Sequence, residues 1–469
     1  MKMRKIMALL LSLLMVIGMF TACGGQEPTA TEPPAAEGND APETPAPEAP
    51  ADEDVVTITY SYWGTPDEAA SVQAVADKFH EEYPNIKVEV MAIPNEEYTT
   101  KLNTLAAANQ LPDCGIMNEN GVLDFASKGL LADISAMYEG ADAMPLDCIT
   151  FKSEGKPVAY SAANEILFMY YNKDMFDAAG LPYPSATEAM TWEEFIETAK
   201  LLTLDKNGKN AADPAFDPEN IVQYGCVVDN WTWQLEVWAL SNGGRWFTED
   251  GKECTINDPA VIESIQKVAD LTLVEHVMPY NAGLEDNGIQ RSIATGNVAM
   301  ATGGAWNVGT CLNGARDDIG LNYGVARLPK MVNEVTICTG GPQVVFSQTE
   351  HPEEAMEFIK WYMKEENSWD SLIATGIWMP ILEKYYTDPA LTDKWINNPN
   401  FPDQEEYKAA VVDYAMECAE STCWYYIPHT NDFINLLRSV LGPVWTGEQT
   451  AEQAITENYD ALNDIFLGF

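Results

Sequence analysis

The chain is poor in positive charge: 26 Lys and Arg stand against 72 Asp and Glu, for a formal net charge of −46. Nucleic acid is therefore excluded as a partner, because phosphate binding needs the opposite field. An acidic surface keeps a protein soluble and names no ligand. Cysteines stand at 23, 114, 148, 226, 254, 311, 338, 418 and 423, with no C-x-x-C pair, so neither a zinc site nor a thioredoxin-like centre is coded. Cys418 and Cys423 are near enough in sequence to meet on a helix or a turn, with buried free thiols as the alternative. G-x-S-x-G, H-E-x-x-H and P-loop motifs are missing, and His80, His276, His351 and His429 are dispersed, which removes the common hydrolase signatures. There is no internal repeat of the kind that builds an adhesin. No cofactor is implied. One stretch, "DKNGKNAAD" (205–213), approaches a calcium loop, but its glycine sits at the fourth place rather than the sixth, so a solvent-facing hairpin is the better reading.

What is present begins at the amino end. Lys2, Arg4 and Lys5 precede an apolar run from Ile6 to Phe20, then Thr21-Ala22-Cys23 and two glycines. That is the layout of an export signal. A transmembrane anchor is the competing reading, but no basic stop-transfer cluster follows. Phe20-Thr21-Ala22-Cys23 resembles the lipobox of bacterial lipoproteins, which implies that Cys23 carries the lipid and begins the mature chain. Residues 26–54 are Pro, Ala, Glu, Thr and Asp with no Lys or Arg, and read as a solvated tether reaching up to roughly 90 Å.

The remaining body, Val55 to Phe469, is too long for one ordinary core and suits two lobes. "VVTITYSY" alternates, "DEAASVQAVADKFHEEYP" has helical period, and "NIKVEVM" alternates again. A strand, a helix and a strand in so short a span predict a βαβ unit. Further helix starts are signalled by Thr191 with Glu194, Asp258-Pro259, His351-Pro352 and Thr450 with Gln453. The class is α/β.

Three segments carry more: "LFMYYNKDMFDAAGL" (167–181), "ATGNVAMATGGAWNVG" (294–309) and "TGGPQVVFSQTEHPEEAMEFIKWYM" (339–363). With Trp63-Gly64, Pro112-Asp113 and Gly340-Gly341 in order and spacing, the body resembles the family 1 extracellular solute-binding proteins of bacterial ABC importers, the group that includes maltodextrin-binding proteins. The resemblance implies a two-lobed periplasmic-binding-protein-like fold of type II, each lobe a sheet flanked by helices. It places residues 55–165 plus about 320–375 in lobe 1 and 166–319 plus about 376–469 in lobe 2. It also implies capture of a carbohydrate by lobe closure, delivery to ABC permease subunits, a lipid anchor on the outer face of the cell membrane, and a monomer. One departure is Met117-Asn118-Glu119-Asn120, mostly amide where maltodextrin-binding members supply charged contacts, which argues against maltodextrin while leaving sugar as the class.

The chemistry stands without the family. A sugar presents hydroxyls around its edge and C–H patches on its faces, so its site needs carboxylates, amides and flat aromatic walls. Candidate rings are Trp63, Trp231, Trp233, Trp306, Trp378 and Trp424, while Trp361 falls on an apolar stripe with Phe358 and reads as core. Candidate polar contacts are Asp113, Asn118, Glu119, Glu165, Asp229 and Asn230, chosen because ligands gather at the carboxyl ends of strands. Capping of its own loop is an equal reading for Asp113. Gly341 either lets backbone approach the ligand or makes a tight turn, and His429 is a lesser candidate. Competing functions are capture of another small polar solute or a peptide on the same fold, and a secreted glycoside hydrolase with a carboxylate pair.

Overall fold

The computed structural model describes residues 55–468 apart from 64–65, 95–96, 140–145, 147–148, 229–230, 280–292, 365–366, 368–372, 375 and 377. Cys23, the tether, Cys148, Asp229 and Asn230 lie outside the described residues.

Strand β1 (Val56–Trp63) alternates as its sequence predicts, sending Ile58 and Tyr60 into the core. Helix α1 (Pro66–Glu82) connects it to β2 (Ile86–Ile93), which runs parallel in unbroken register from Val56 opposite Ile86 to Trp63 opposite Ile93. This is the expected βαβ unit. Helix α2 (Tyr98–Ala107) leads to β3 (Cys114–Ile116), also parallel to β1, and on to α3 (Glu119–Ser127) and β4 (Tyr160–Ser161).

The chain then enters a second sheet through β5 (Glu165–Asn172), all eight residues of which are buried. There follow α4 (Lys173–Ala179), α5 (Trp192–Leu202), β6 (Leu204–Asp205), β7 (Ile221–Val227), α6 (Leu235–Ser241), α7 (Pro259–Leu273), β8 (Val298–Gly304), β9 (Tyr323–Ala326) and β10 (Thr336–Thr339). Strand β11 (Pro342–Val345) and helix α8 (Pro352–Tyr362) return to the first sheet. The carboxyl end supplies β12 (Ala419–Ser421), α9 (Thr430–Trp445) and α10 (Ala451–Phe466) to the second.

The first sheet has the order β2-β1-β3-β11-β4, and the second β12-β10-β5-β8-β7-β6 with β9 also on β5. Both β9 and β10 bond antiparallel to β5. Residues 320–339 therefore go with the second sheet, and the lobe boundary expected near 320 moves to Gly340. The crossing segments lie against one another. The Ala162 N–H donates to Gly341 O at 2.8 Å and the Asn164 N–H to Met379 O at 3.2 Å. A Cβ at position 340 would stand 2.3 Å from the Ala163 carbonyl oxygen, so that crossing point admits only glycine.

Three of the four helix starts are capped as expected. Thr191 with Glu194 and Thr450 with Gln453 form reciprocal boxes, and Asp258 accepts from the Ala260 N–H at 2.8 Å. His351 differs: its side chain makes no cap bond, and the proline at the first helical position acts alone. Trp361 is core, with its indole N–H on Glu82 at 2.9 Å. Cys418 and Cys423 are not bridged to each other: both are free thiols. The 205–213 stretch is a tight turn in which the Asp205 carboxylate accepts the N–H groups of Asn207, Lys209 and Asp217. Burial works to raise the Asp205 pKa, but those donors bring it below its ordinary value.

Candidate functional site

Strand direction locates the site. Parallel β1 and β3 end at Trp63 and Ile116, and antiparallel β11 begins at Pro342 beside them. In the second sheet β7 and β8 end at Val227 and Gly304, β10 ends at Thr339, and antiparallel β5 begins at Glu165. The segments joining the sheets leave from these same ends, so the two sets of strand ends meet at the seam between lobes. That is where an open α/β sheet presents its ligand loops.

Four tryptophans line the second lobe's side of the seam. Trp231 and Trp233 lie 6.2 Å apart between centroids, Trp233 and Trp306 6.3 Å, and Trp233 and Trp424 5.0 Å. Trp306 lies over the backbone of Gly304, where a Cβ would fall 1.9 Å from the ring. The tilts between neighbours, 41 to 55°, form a continuous apolar surface rather than a closed stack. The indole nitrogen of Trp424 is buried without a partner among the described residues. On the first lobe's side Trp63 packs edge-on to Tyr98 at 5.7 Å.

Two carboxylates converge beside these rings. Thr339 pairs with Glu165 across β10 and β5, and its hydroxyl lies 3.5 Å from Glu119 Oε1. On the other flank, Gly304 pairs with Leu167 and the Ala305 N–H donates to Ile166 O, so the ladder ends, with the Trp306 ring over Gly304, close to Glu165 in β5. Loss of water pushes the Glu119 carboxyl up to about 7, against the N–H groups of Glu119 and Gly340 and the Thr339 hydroxyl. Burial first, and the charge of Glu119 second, hold the Glu165 carboxyl well above the usual range. Its Oε1 is buried with no partner among the described residues.

The lobes also touch directly. Asn120 Nδ2 donates to Asn431 Oδ1 at 2.9 Å, the His429 N–H donates to Asp124 Oδ1 at 2.6 Å, and Phe151 and Tyr425 face each other at 4.2 Å. His429 thus belongs to a contact between lobes.

Other sequence candidates fall elsewhere. Asp113 precedes β3, at the far end from the seam. Its carboxylate accepts from the Thr59 N–H at 2.7 Å, the Thr59 hydroxyl at 2.9 Å and the Thr349 hydroxyl at 2.5 Å. It braces β1 against β3, and the expectation of a ligand contact is corrected on that ground. Asn118 sits at the right end of β3, but its amide donates to the Thr99 hydroxyl at 3.2 Å. Beside Gly341 stand Ile116 and the ring of Trp378, 3.1 and 3.5 Å from where a Cβ would be, so the glycine makes room for Trp378.

Thr339 and Glu236 lacked any distinguishing sequence signal. Glu236, on α6, is buried and receives the Cys423 N–H on both oxygens, at 3.1 and 3.0 Å, which fixes the residue before Trp424. Burial pushes its carboxyl from 4.5 up to about 7, opposed by the Cys423 groups and the charge of Arg245. The folded state therefore holds this proton more tightly than the unfolded chain. That contribution favours the fold below the unfolded pKa and fades as pH rises through the folded one. Glu236→Gln removes the titration, so the variant's unfolding free energy should gain on wild type by up to about 3 kcal/mol between about pH 5 and about pH 8. Denaturant unfolding at both pH values checks this, and a constant difference would refute it.

A separate cavity of about 710 Å³, lined by Asp174, Met175, Leu201, Gln223 and Ile319, opens at the opposite end of the second sheet, where β5 finishes and β7 begins. Neither Glu119, Glu165, Thr339 nor any of the four tryptophans lines it.

The sequence matches the bacterial extracellular solute-binding protein family over residues 63–369. A maltotriose-binding protein from Pyrococcus abyssi is 24% identical over 333 residues, 70% of this chain and 66% of that protein, so the chain spans just under two thirds of its length. Among solved structures, an ABC substrate-binding protein from Listeria monocytogenes in complex with cycloalternan superposes with a TM-score of 0.72 at 24% identity, covering 89% of this chain and 100% of that one. A cyclic alpha-maltosyl-1,6-maltose binding protein from Arthrobacter globiformis gives 0.68 at 21% identity, with 88% and 100% covered. The fold is thus two-lobed, each lobe a sheet flanked by helices. With the family match spanning most of the body, this chain belongs to the bacterial extracellular solute-binding proteins.

Proposed function

We propose that this protein captures a carbohydrate, of oligosaccharide size, between its lobes and presents it to the permease subunits of an ABC importer. The observation that carries the reading is the run of four indoles at the strand ends of one lobe, set beside two carboxylates at the seam. Rings of that area accept the C–H faces of several sugar units, and the carboxylates and amides accept hydroxyls at the edge. Closure about the crossing segments then signals occupancy, provided that ligand prefers the closed form. The relatives named above as sugar binders support the same reading. Cys23 would hold the body at the outer face of the cell membrane through its lipid, with the acidic tether as spacer. No bond in the ligand is broken.

The test is a panel of xylo-, manno-, malto- and fructo-oligosaccharides followed by tryptophan emission. At least one should shift the spectrum saturably, and chromatography should return every sugar intact. New products would make the protein a glycoside hydrolase; silence to sugars with a response to peptides would move it to another solute.

A further inference from the structure

The segments around the seam are poor in counter-charge. Segments 63–77, 111–127, 157–172, 225–244, 292–315, 331–345, 373–383 and 414–437, which supply its strand ends and crossings, contain no Lys or Arg. Two described arginines that flank these segments are committed elsewhere: Arg245 donates to Glu420 at 2.6 Å and pairs with Glu249 at 3.4 Å, and Arg327 pairs with Glu334 and Glu417 at 2.7 and 2.8 Å. His429 is turned onto Asp124, 3.3 Å from its Nδ1. Against this stand Glu119 and Glu165, both reaching Thr339, with Glu165 8% exposed and its Oε1 unpartnered among the described residues.

Both carboxyls are already buried, so without a cation they keep their protons, whereas a cation beside them would allow charge-assisted pairing of the ionised forms. The Trp306 ring lies over Gly304, which pairs with Leu167 two residues from Glu165, so a cation there would also stand near an indole. We infer that the ligand brings the missing charge: a saccharide bearing a protonated amine, its ammonium seated between Glu165, Glu119 and the Trp306 ring. This inference rests on the capture reading and narrows it.

The acidic loops favour such a ligand before contact as well, since clefts of one sign concentrate the opposite ion. Burial holds both carboxyls above their ordinary range, that of Glu165 with help from the charge of Glu119; an ammonium would draw them down and release protons.

Calorimetry with a matched pair tests the idea: the β-1,4-linked glucosamine trimer, its N-acetylated counterpart, and spermidine as an amine without a ring. The free-amine trimer should bind at least about tenfold more tightly than the acetylated one. Glu165→Gln, and independently Glu119→Gln should the first fail to fold, should collapse that preference. Equal or better binding of the acetylated trimer, or a preference that survives both substitutions, overturns the inference while leaving a neutral-sugar reading intact. Binding of spermidine with silence from every saccharide overturns the capture reading itself, and silence from both trimers and spermidine overturns the inference.

Discussion

Gly225→Ala should lose about 3 kcal/mol of stability or more. Gly225 lies in β7 directly beneath α5, and a Cβ there would stand 1.9 Å from the Ala199 carbonyl oxygen and 2.6 Å from its Cα. Those are backbone atoms inside a helix, so no rotamer change relieves the clash. The helix must lift, and with it Phe195 and Leu202, both buried on its inner face. Its neighbours lie close by: the Gly225 N–H donates to the Thr203 hydroxyl at 2.9 Å. Gly314→Ala is the control. That residue is exposed on a helix with nothing within 4 Å of the added carbon, so it should be neutral or gain up to about 1 kcal/mol. Urea midpoints of the two variants should separate on opposite sides of wild type, and similar midpoints would show that α5 does not rest on β7 as described.

Removing the ring of Trp306 should weaken saccharide binding by about 100-fold, roughly 2.7 kcal/mol, with little change in the melting temperature of the ligand-free protein. Trp306 is only partly buried, so its loss opens no sealed cavity in the second lobe. Its partner in the platform is Trp233 at 6.3 Å, and its underside rests on Gly304. Gly304→Ala therefore offers a gentler test, because the added carbon would lie inside the present ring position and must tip the indole without deleting it. An intermediate loss of affinity is expected. Should Trp306→Ala instead unfold the protein early and bind normally, the ring is packing and the platform reading fails.

Much of the secondary structure could be read from the chain alone because its signals are local. Alternation in β1 and β2, the helical period between them and the reciprocal caps at Thr191 and Thr450 each involve residues a few positions apart, and each forms as expected. Tryptophan after a strand likewise marks Trp306 at a strand end, since Gly303-Gly304-Ala305 must finish β8 there.

Contacts made across long sequence separation were decided by tertiary structure. Asp113 is identical in type to a ligand-binding carboxylate, and only Thr59 and Thr349, 54 and 236 residues distant, commit it to bracing. Gly341 serves Trp378, and the lobe boundary moves because β9 and β10 find β5. The chain by itself determined its acidic balance, its local helix and strand periods and the absence of Lys and Arg around the seam. Which carboxylates face that seam, and which rings join into one surface, depended on strand pairing, because hydrogen-bonded register brings together residues whose order along the chain carries no record of their meeting.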